Sequence, residues 1–264
     1  MGKTRKKRAK RPINRQASPW WARLILDTRT TILGVLPIVA IFLGARVALA
    51  EAYRIPSGSM EPTLQVGDRL FVNKLRLGPH IPFTAASLPG YAHPRRNDIV
   101  VFVSPPQDAA IRITPADVTP TLVKRIVGVA GDTLMMRHGR LLVNGTVVPA
   151  RNTDYVLPDA IADQPQPLFS WQHHIEVRGS RFGPPPVSPT LHDWGPLVVP
   201  AGMFFMLGDN RDNSVDSRYY GPVPRANLRG TPMFIYYSYD TEGGIDYFRA
   251  LTEIRWRRLG TWIR

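Results

Sequence analysis

From Thr31 to Ala50 the chain reads TILGVLPIVAIFLGARVALA, and Arg46 is the sole charge in that run. About 20 residues of this polarity match the thickness of a bilayer crossed by a helix. Such a run must be placed either in lipid or wholly inside a core, and its flanks argue for lipid. Residues 1–15 carry Lys3, Arg5, Lys6, Lys7, Arg8, Lys10, Arg11 and Arg15 with no acid, and Trp20 and Trp21 follow. Basic residues and interfacial tryptophans beside an apolar run are the signature of a cytoplasmic flank. Residues 1–30 therefore read as a basic cytoplasmic arm, 31–50 as a single transmembrane helix, and 51–264 as a domain outside the membrane. Ala48-Leu49-Ala50 also resembles a cleavage site, which would make the segment a removable signal with a cut at Ala50-Glu51. The long arm and Arg46 so close to that site argue for an uncleaved anchor.

The exported part is long enough to bury its own core, and it must do so unaided, because the 264 residues include no cysteine. With 26 prolines and 21 glycines among Val and Ile, the expected fold is mainly β, an antiparallel sheet joined by many turns. Strands are predicted at DIVVFVSP from Asp98, at Thr121–Val129, at Met203–Leu207 and at Met233–Tyr237. His138-Gly139 and Asn144-Gly145 predict two tight hairpins. Residues 150–200 are polar and Pro-rich and read as an insertion or a small subdomain rather than core. The tail, LTEIRWRRLGTWIR, is equally a solvated terminus or a membrane-surface segment. The formal charge of +14 lies largely in the arm, which lacks the aromatic interleaving of a nucleic-acid surface, so no nucleic acid is expected as a partner.

Three stretches could carry chemistry. In TLVKRIVGV, alternation puts Leu122, Lys124 and Ile126 on one face and Val123, Arg125 and Val127 on the other. If the strand is buried, one cation sits among aliphatic side chains. A desolvated lysine loses its proton near neutrality and can act as a base, whereas arginine stays charged; a snorkelling Lys124 on an exposed face is the alternative. In RIPSGSMEPTL, two prolines stiffen a loop holding Ser57, Gly58 and Ser59. The loop offers either turn chemistry or a fixed hydroxyl nucleophile, with Gly58 giving the backbone freedom to expose an amide. In GDNRDNSVDSRYYG, the density of Asp, Arg, Asn and Ser suggests a self-satisfying network, and the spacing lacks the ligand pattern of a calcium loop. His173-His174 reads as part of a loop rather than a metal site, and no metal is expected.

The order of these elements, an anchor, PSGSMEPTL, RNDIVVF, KRIVGVAGD and GDNRDNSVDSRYYGPVP, resembles the bacterial type I signal peptidases, membrane-bound serine proteases that remove signal peptides from exported preproteins. The matching motifs run from Ile55 to Pro224; residues 150–200 and the arm carry none. The resemblance implies Ser59 as nucleophile and Lys124 as general base. It implies Ser57 and the Ser59 amide as oxyanion hole, Ser214 as the group orienting Lys124, and Asp216 with Arg218 as support. Ile55, Pro56, Met60 and Val123 are implied to lie near shallow pockets for small residues at −1 and −3 of the substrate. Implied partners are signal-peptide-bearing preproteins and the lipid bilayer, with no cofactor, at the bacterial inner membrane with the catalytic domain on the far side. A processing peptidase with one dedicated substrate and a catalytically silent peptide-binding domain are the other readings. Asn97, where the family often has Gly, and Ala130, where Pro is common, depart from its pattern.

Overall fold

A computed structural model of the chain describes residues 32–38, 50–79, 84, 87–112, 114–149, 158–177, 179, 181–240 and 252–264. The basic arm and most of the expected anchor lie outside these residues. Residues 32–38, the described part of that anchor, are helical and exposed. Among the described residues no helix is long and apolar enough to cross a membrane. The chain divides into two compact units, Met1–Ala45 and Arg46–Arg264, and the second holds all of the β structure.

The strands are β1 (Ala50–Arg54), β2 (Asp68–Asn73), β3 (Ile99–Val103), β4 (Thr121–Val129), β5 (Thr133–Arg137), β6 (Arg140–Val143), β7 (Thr146–Val148), β8 (Trp194–Val198), β9 (Met203–Leu207), β10 (Val223–Pro224) and β11 (Leu228–Ser238). They form a seven-stranded sheet, in the order β1-β2-β11-β3-β4-β9-β10, and a four-stranded sheet, β7-β6-β5-β8. Neighbouring strands run antiparallel throughout, so the mainly β expectation holds.

Local chemistry explains most of this. β4 spans the expected Thr121–Val129, an apolar run long enough to pair with β3 on one side and β9 on the other. Both expected hairpins form, β5–β6 and β6–β7. Their turn residues all take positive φ, His138 at 48° and Gly139 at 70°, Asn144 at 53° and Gly145 at 84°, as a two-residue turn of this hand requires. Asn97 has φ 75°, a left-handed turn that asparagine tolerates better than other side-chain-bearing residues.

The insertion expected at 150–200 needs correction at its end. Trp194–Val198 is strand β8, paired with β5, and Trp194 and Leu197 are fully buried beside Leu134 and Phe205. Gly195 has φ 73°, and a Cβ there would stand 2.6 Å from the Leu134 carbonyl oxygen. Glycine is thus required by a close approach at an irregular register, and Gly-Pro in sequence reads as a break rather than a strand. The tail also packs rather than floats. Ile263 N–H donates to Met233 O at 2.8 Å, and Ile263 lies against the core beneath β2 and β11.

Candidate active site

β1 ends at Arg54, and the chain then turns through a short 3-10 segment, Gly58–Met60. Met60 and Leu64 are pressed into the core with Ile55, Leu70 and Ile99, which fixes the loop from below. From the side, Asn210 clamps it: its side-chain NH2 donates to Gly58 O and its backbone N–H to Ser59 O, both at 3.2 Å. Gly58 is not among the glycines of positive φ. A Cβ on it would meet the Glu61 carboxylate at 2.8 Å, so closeness to Glu61, rather than special backbone freedom, distinguishes the position.

β4 brings Lys124 to this loop. Its Nζ donates to Ser59 Oγ at 2.5 Å, and Ser57 Oγ lies 3.4 Å from Ser59 Oγ. Lys124 is 3% exposed and Ser59 9%. Burial is the main influence on the amine and pushes it down, Asp216 pulls it up, Arg218 pushes it down again, and Asp209 pulls it up. The net position is about 8, against an ordinary 10.5. The buried alternative for β4 therefore holds, and the strand takes both cations inside: Arg125 is as buried as its neighbour. Arg125 projects to the other face, where Nε and Nη2 each donate to Asp209 at 2.7 Å and Nη1 donates to Asn97 O at 2.7 Å. Thr63 Oγ1 donates to the same Asp209 carboxylate at 2.5 Å.

The dense loop builds the opposite wall. Asp216 and Arg218 are both fully buried and paired side-on, Nε to Oδ1 at 2.8 Å and Nη2 to Oδ2 at 2.9 Å. Burial alone would raise the Asp216 carboxyl, but Arg218 outweighs it and holds the carboxyl below its usual range. Gly208 N–H also donates to Asp216, at 3.2 Å. Ser214, on this wall, lines the same cavity as Lys124, but its Oγ is buried without a hydrogen-bond partner among the described residues, so the expected hydrogen bond that would orient the Lys124 amine is not formed.

Ser57, Ser59, Lys124 and Ser214 open into a cavity of about 360 Å3, completed by Gln107, Ile111, Leu122, Val215 and Tyr219 among others. Ile55, Pro56, Met60 and Val123 do not line it. Ile55 and Met60 are core residues, Val123 packs half-buried on the same core, and Pro56 is exposed on the loop. Alternation explains Val123: it points away from the face that carries Leu122 and Lys124. Sequence reasoning missed Asp209, Asn210 and Thr63 as individuals; the density of the loop was the available signal for the first two, Thr63 carried none, and their partners lie far away in the chain.

A serine hydroxyl against a desolvated amine, with a second hydroxyl beside them, suits nucleophilic attack on a carbonyl. Comparison with known proteins points the same way. The sequence family described as "Signal peptidase, peptidase S26" matches residues 28–237. Signal peptidase I of Leptolyngbya laminosa is 36% identical over 73% of this chain and 71% of its own length. Signal peptidase I of Pseudomonas aeruginosa is 33% identical over 77% of this chain and 70% of its own. A probable thylakoidal processing peptidase 2 of Arabidopsis thaliana is 34% identical over 75% of this chain and 41% of its own.

Proposed function

The chain belongs to the signal peptidase family, peptidase S26, and we propose that Ser59 and Lys124 carry out its reaction. Its activity is the endoproteolytic removal of N-terminal signal peptides from exported preproteins by a Ser-Lys mechanism. The observation that supports these two residues above the others is the 2.5 Å contact between Lys124 Nζ and Ser59 Oγ, in a place where burial lowers the amine to about 8.

The neutral amine of Lys124 takes the Ser59 proton as Oγ attacks the carbonyl carbon of the −1 residue. Negative charge gathers on the carbonyl oxygen, where the Ser59 N–H and the Ser57 hydroxyl donate to it. The C–N bond then breaks, the ammonium of Lys124 gives its proton to the leaving amine, and the signal peptide remains as an ester on Ser59. Lys124 next takes a proton from water as the water attacks the ester, then returns that proton to Ser59 Oγ as the C–O bond breaks and the signal peptide leaves with its new carboxyl group. Ser214, Asp216 and Arg218 hold the lysine side of the cavity. Small residues at −1 and −3 are the expected requirement. The apolar run at 31–50 and the basic arm before it support a position at the bacterial inner membrane with the arm in the cytoplasm.

The test is cleavage of a preprotein carrying an Ala-x-Ala site by the detergent-solubilised chain, comparing wild type with Ser59→Ala and Lys124→Ala. Cleavage after the −1 alanine, lost in both variants, is the expected result. Full activity in either variant removes that residue from the mechanism.

A further inference from the structure

Gln107 and Tyr219 line the cavity of Ser59 and Lys124, and the same two residues line a second cavity of about 590 Å3. Its walls are the loop after β3, the 3-10 run Pro167–His174, and Tyr219 with Tyr220. Pro106, Pro167, Trp171 and Tyr219 supply flat, stiff surfaces, and Asp108 and Ser170 give it a polar rim. Two charges at that rim are held by the backbone: Asp108 Oδ1 accepts from Ala110 N–H at 2.9 Å, and Arg112 Nε donates to Gln107 O at 2.9 Å.

This wall is built from the same parts that hold the catalytic lysine. Trp171 Nε1 donates to Arg218 O at 2.9 Å, which ties the indole to the Asp216–Arg218 pair. Tyr219 is held edge-on by the buried ring of Phe169, with ring centroids 4.9 Å apart. Aromatic rings fixed in this way make a preformed site, which lowers the cost of ordering on binding. An extended chain advances about 3.3 Å per residue, so a polypeptide lying across Ser59 enters the neighbouring cavity a few residues from the bond being cut.

We propose that the second cavity is a subsite for the polypeptide substrate, in which Trp171 and Tyr219 take a bulky apolar or aromatic side chain of a residue outside the −3 to −1 stretch, while the polar rim meets its backbone. The segment that carries Trp171 holds none of the signal-peptidase motifs quoted above, whereas Tyr219 lies within one, GDNRDNSVDSRYYG. The inference rests on the Ser59–Lys124 reading, and its test separates the two.

The full chain in detergent is given fluorogenic peptides with an Ala-x-Ala site. A short set spans only the −3 to +2 residues. A long set extends both ways and carries phenylalanine or aspartate at one flanking position at a time. In wild type, exchanging phenylalanine for aspartate at one flanking position lowers kcat/KM about 10- to 100-fold, and the side on which that position falls tells whether the signal peptide or the mature chain fills the cavity. Ala109→Trp and Ser170→Trp place a ring in the cavity from exposed positions. Each brings the phenylalanine-to-aspartate contrast to within about 3-fold and lowers the ratio of long- to short-peptide kcat/KM. A flat wild-type profile at every flanking position, or a contrast that survives in both filled variants, overturns the subsite. If Ser59→Ala cuts the short peptides as well as wild type, the dyad reading fails and the subsite falls with it.

Discussion

The two faces of β4 each hold a basic side chain out of water, and they hold it by opposite means. On one face Arg125 meets both oxygens of Asp209, with a backbone carbonyl as third acceptor. Its charge is matched and its geometry fixed, and its chemistry is finished. On the other face Lys124 meets a serine hydroxyl, and among the described residues no carboxylate lies within ion-pair distance of its Nζ. Asp216, the nearest obvious partner, is already engaged side-on by Arg218. On one side a matched carboxylate offsets the cost of desolvating the cation, and on the other that cost is left uncompensated and disfavours the ammonium.

The largest effect that tests this contrast is on turnover. Ser59→Ala and Lys124→Met are each expected to lower kcat about 10^4-fold or more, and the double variant to be no worse than either alone, because the pair acts as a unit. Single-turnover cleavage of a preprotein measures this. Multiplying losses in the double variant would show that the two residues act in separate steps and would break the pairing of Ser59 with its lysine.

Stability should then split the two cations in opposite directions. Arg125→Met leaves Asp209 buried without its cation, at a cost of about 3–5 kcal/mol. Lys124→Met removes a group that folding penalises. The folded amine sits near 8 and an unfolded one near 10.5. Below about 8 both states are protonated and the folded protein bears the full penalty. Between about 8 and 10.5 the unfolded chain binds more protons, so the stability of wild type rises with pH until the penalty is gone. That interval corresponds to about 3 kcal/mol at most. Lys124→Met is therefore expected to be more stable than wild type at pH 7, with the gain vanishing toward pH 10.5. Urea melts at the two pH values decide it. A variant destabilised at pH 7 would mean that Lys124 is held as firmly as Arg125.

A smaller effect is expected at Ser57. If its hydroxyl donates to the oxyanion, Ser57→Ala lowers kcat by about 10^2- to 10^3-fold with little change in KM. A rise in KM at unchanged kcat would instead make it a substrate-binding residue.

How much of this could be read from the chain depends on the distance over which each feature is decided. β4 was legible because nine consecutive residues, Thr121–Val129, carry their own apolar pattern, and the hairpin at Asn144-Gly145 because two adjacent residues set the turn. Alternation also separated Lys124 from Arg125. β8 was not legible, since Gly195-Pro196 looks like a turn and only the packing of Trp194 against Phe205, with ring centroids 5.5 Å apart, makes it a strand. Of the two buried ion pairs, Asp216–Arg218 is local and was foreseen from the family motif. Arg125–Asp209 joins residues 84 apart, and nothing in the sequence near either announces the other. The same limit applies to the cavity walls: Ile55 and Met60 belong to the core, while Gln107, unmarked in sequence, lines the cavity that Ser59 opens into.

The finest test is the pH at which the lysine comes into use. The rate constant kcat/KM should rise with pH along a limb whose midpoint lies near 8, because only the neutral amine can take the Ser59 proton. Burial does most to set that midpoint, and the sealed pair behind the site adjusts it: the Asp216 carboxylate pulls the amine up and the Arg218 guanidinium pushes it down. Asp216→Asn removes the upward pull and leaves the guanidinium, so the limb should move to lower pH, by less than the total displacement that burial imposes. The maximal rate reached at high pH is read separately and reports any disorder in the wall. A limb that stays near 8 in Asp216→Asn would mean that the two faces of β4 are electrostatically independent of the wall, and that desolvation alone prepares Lys124.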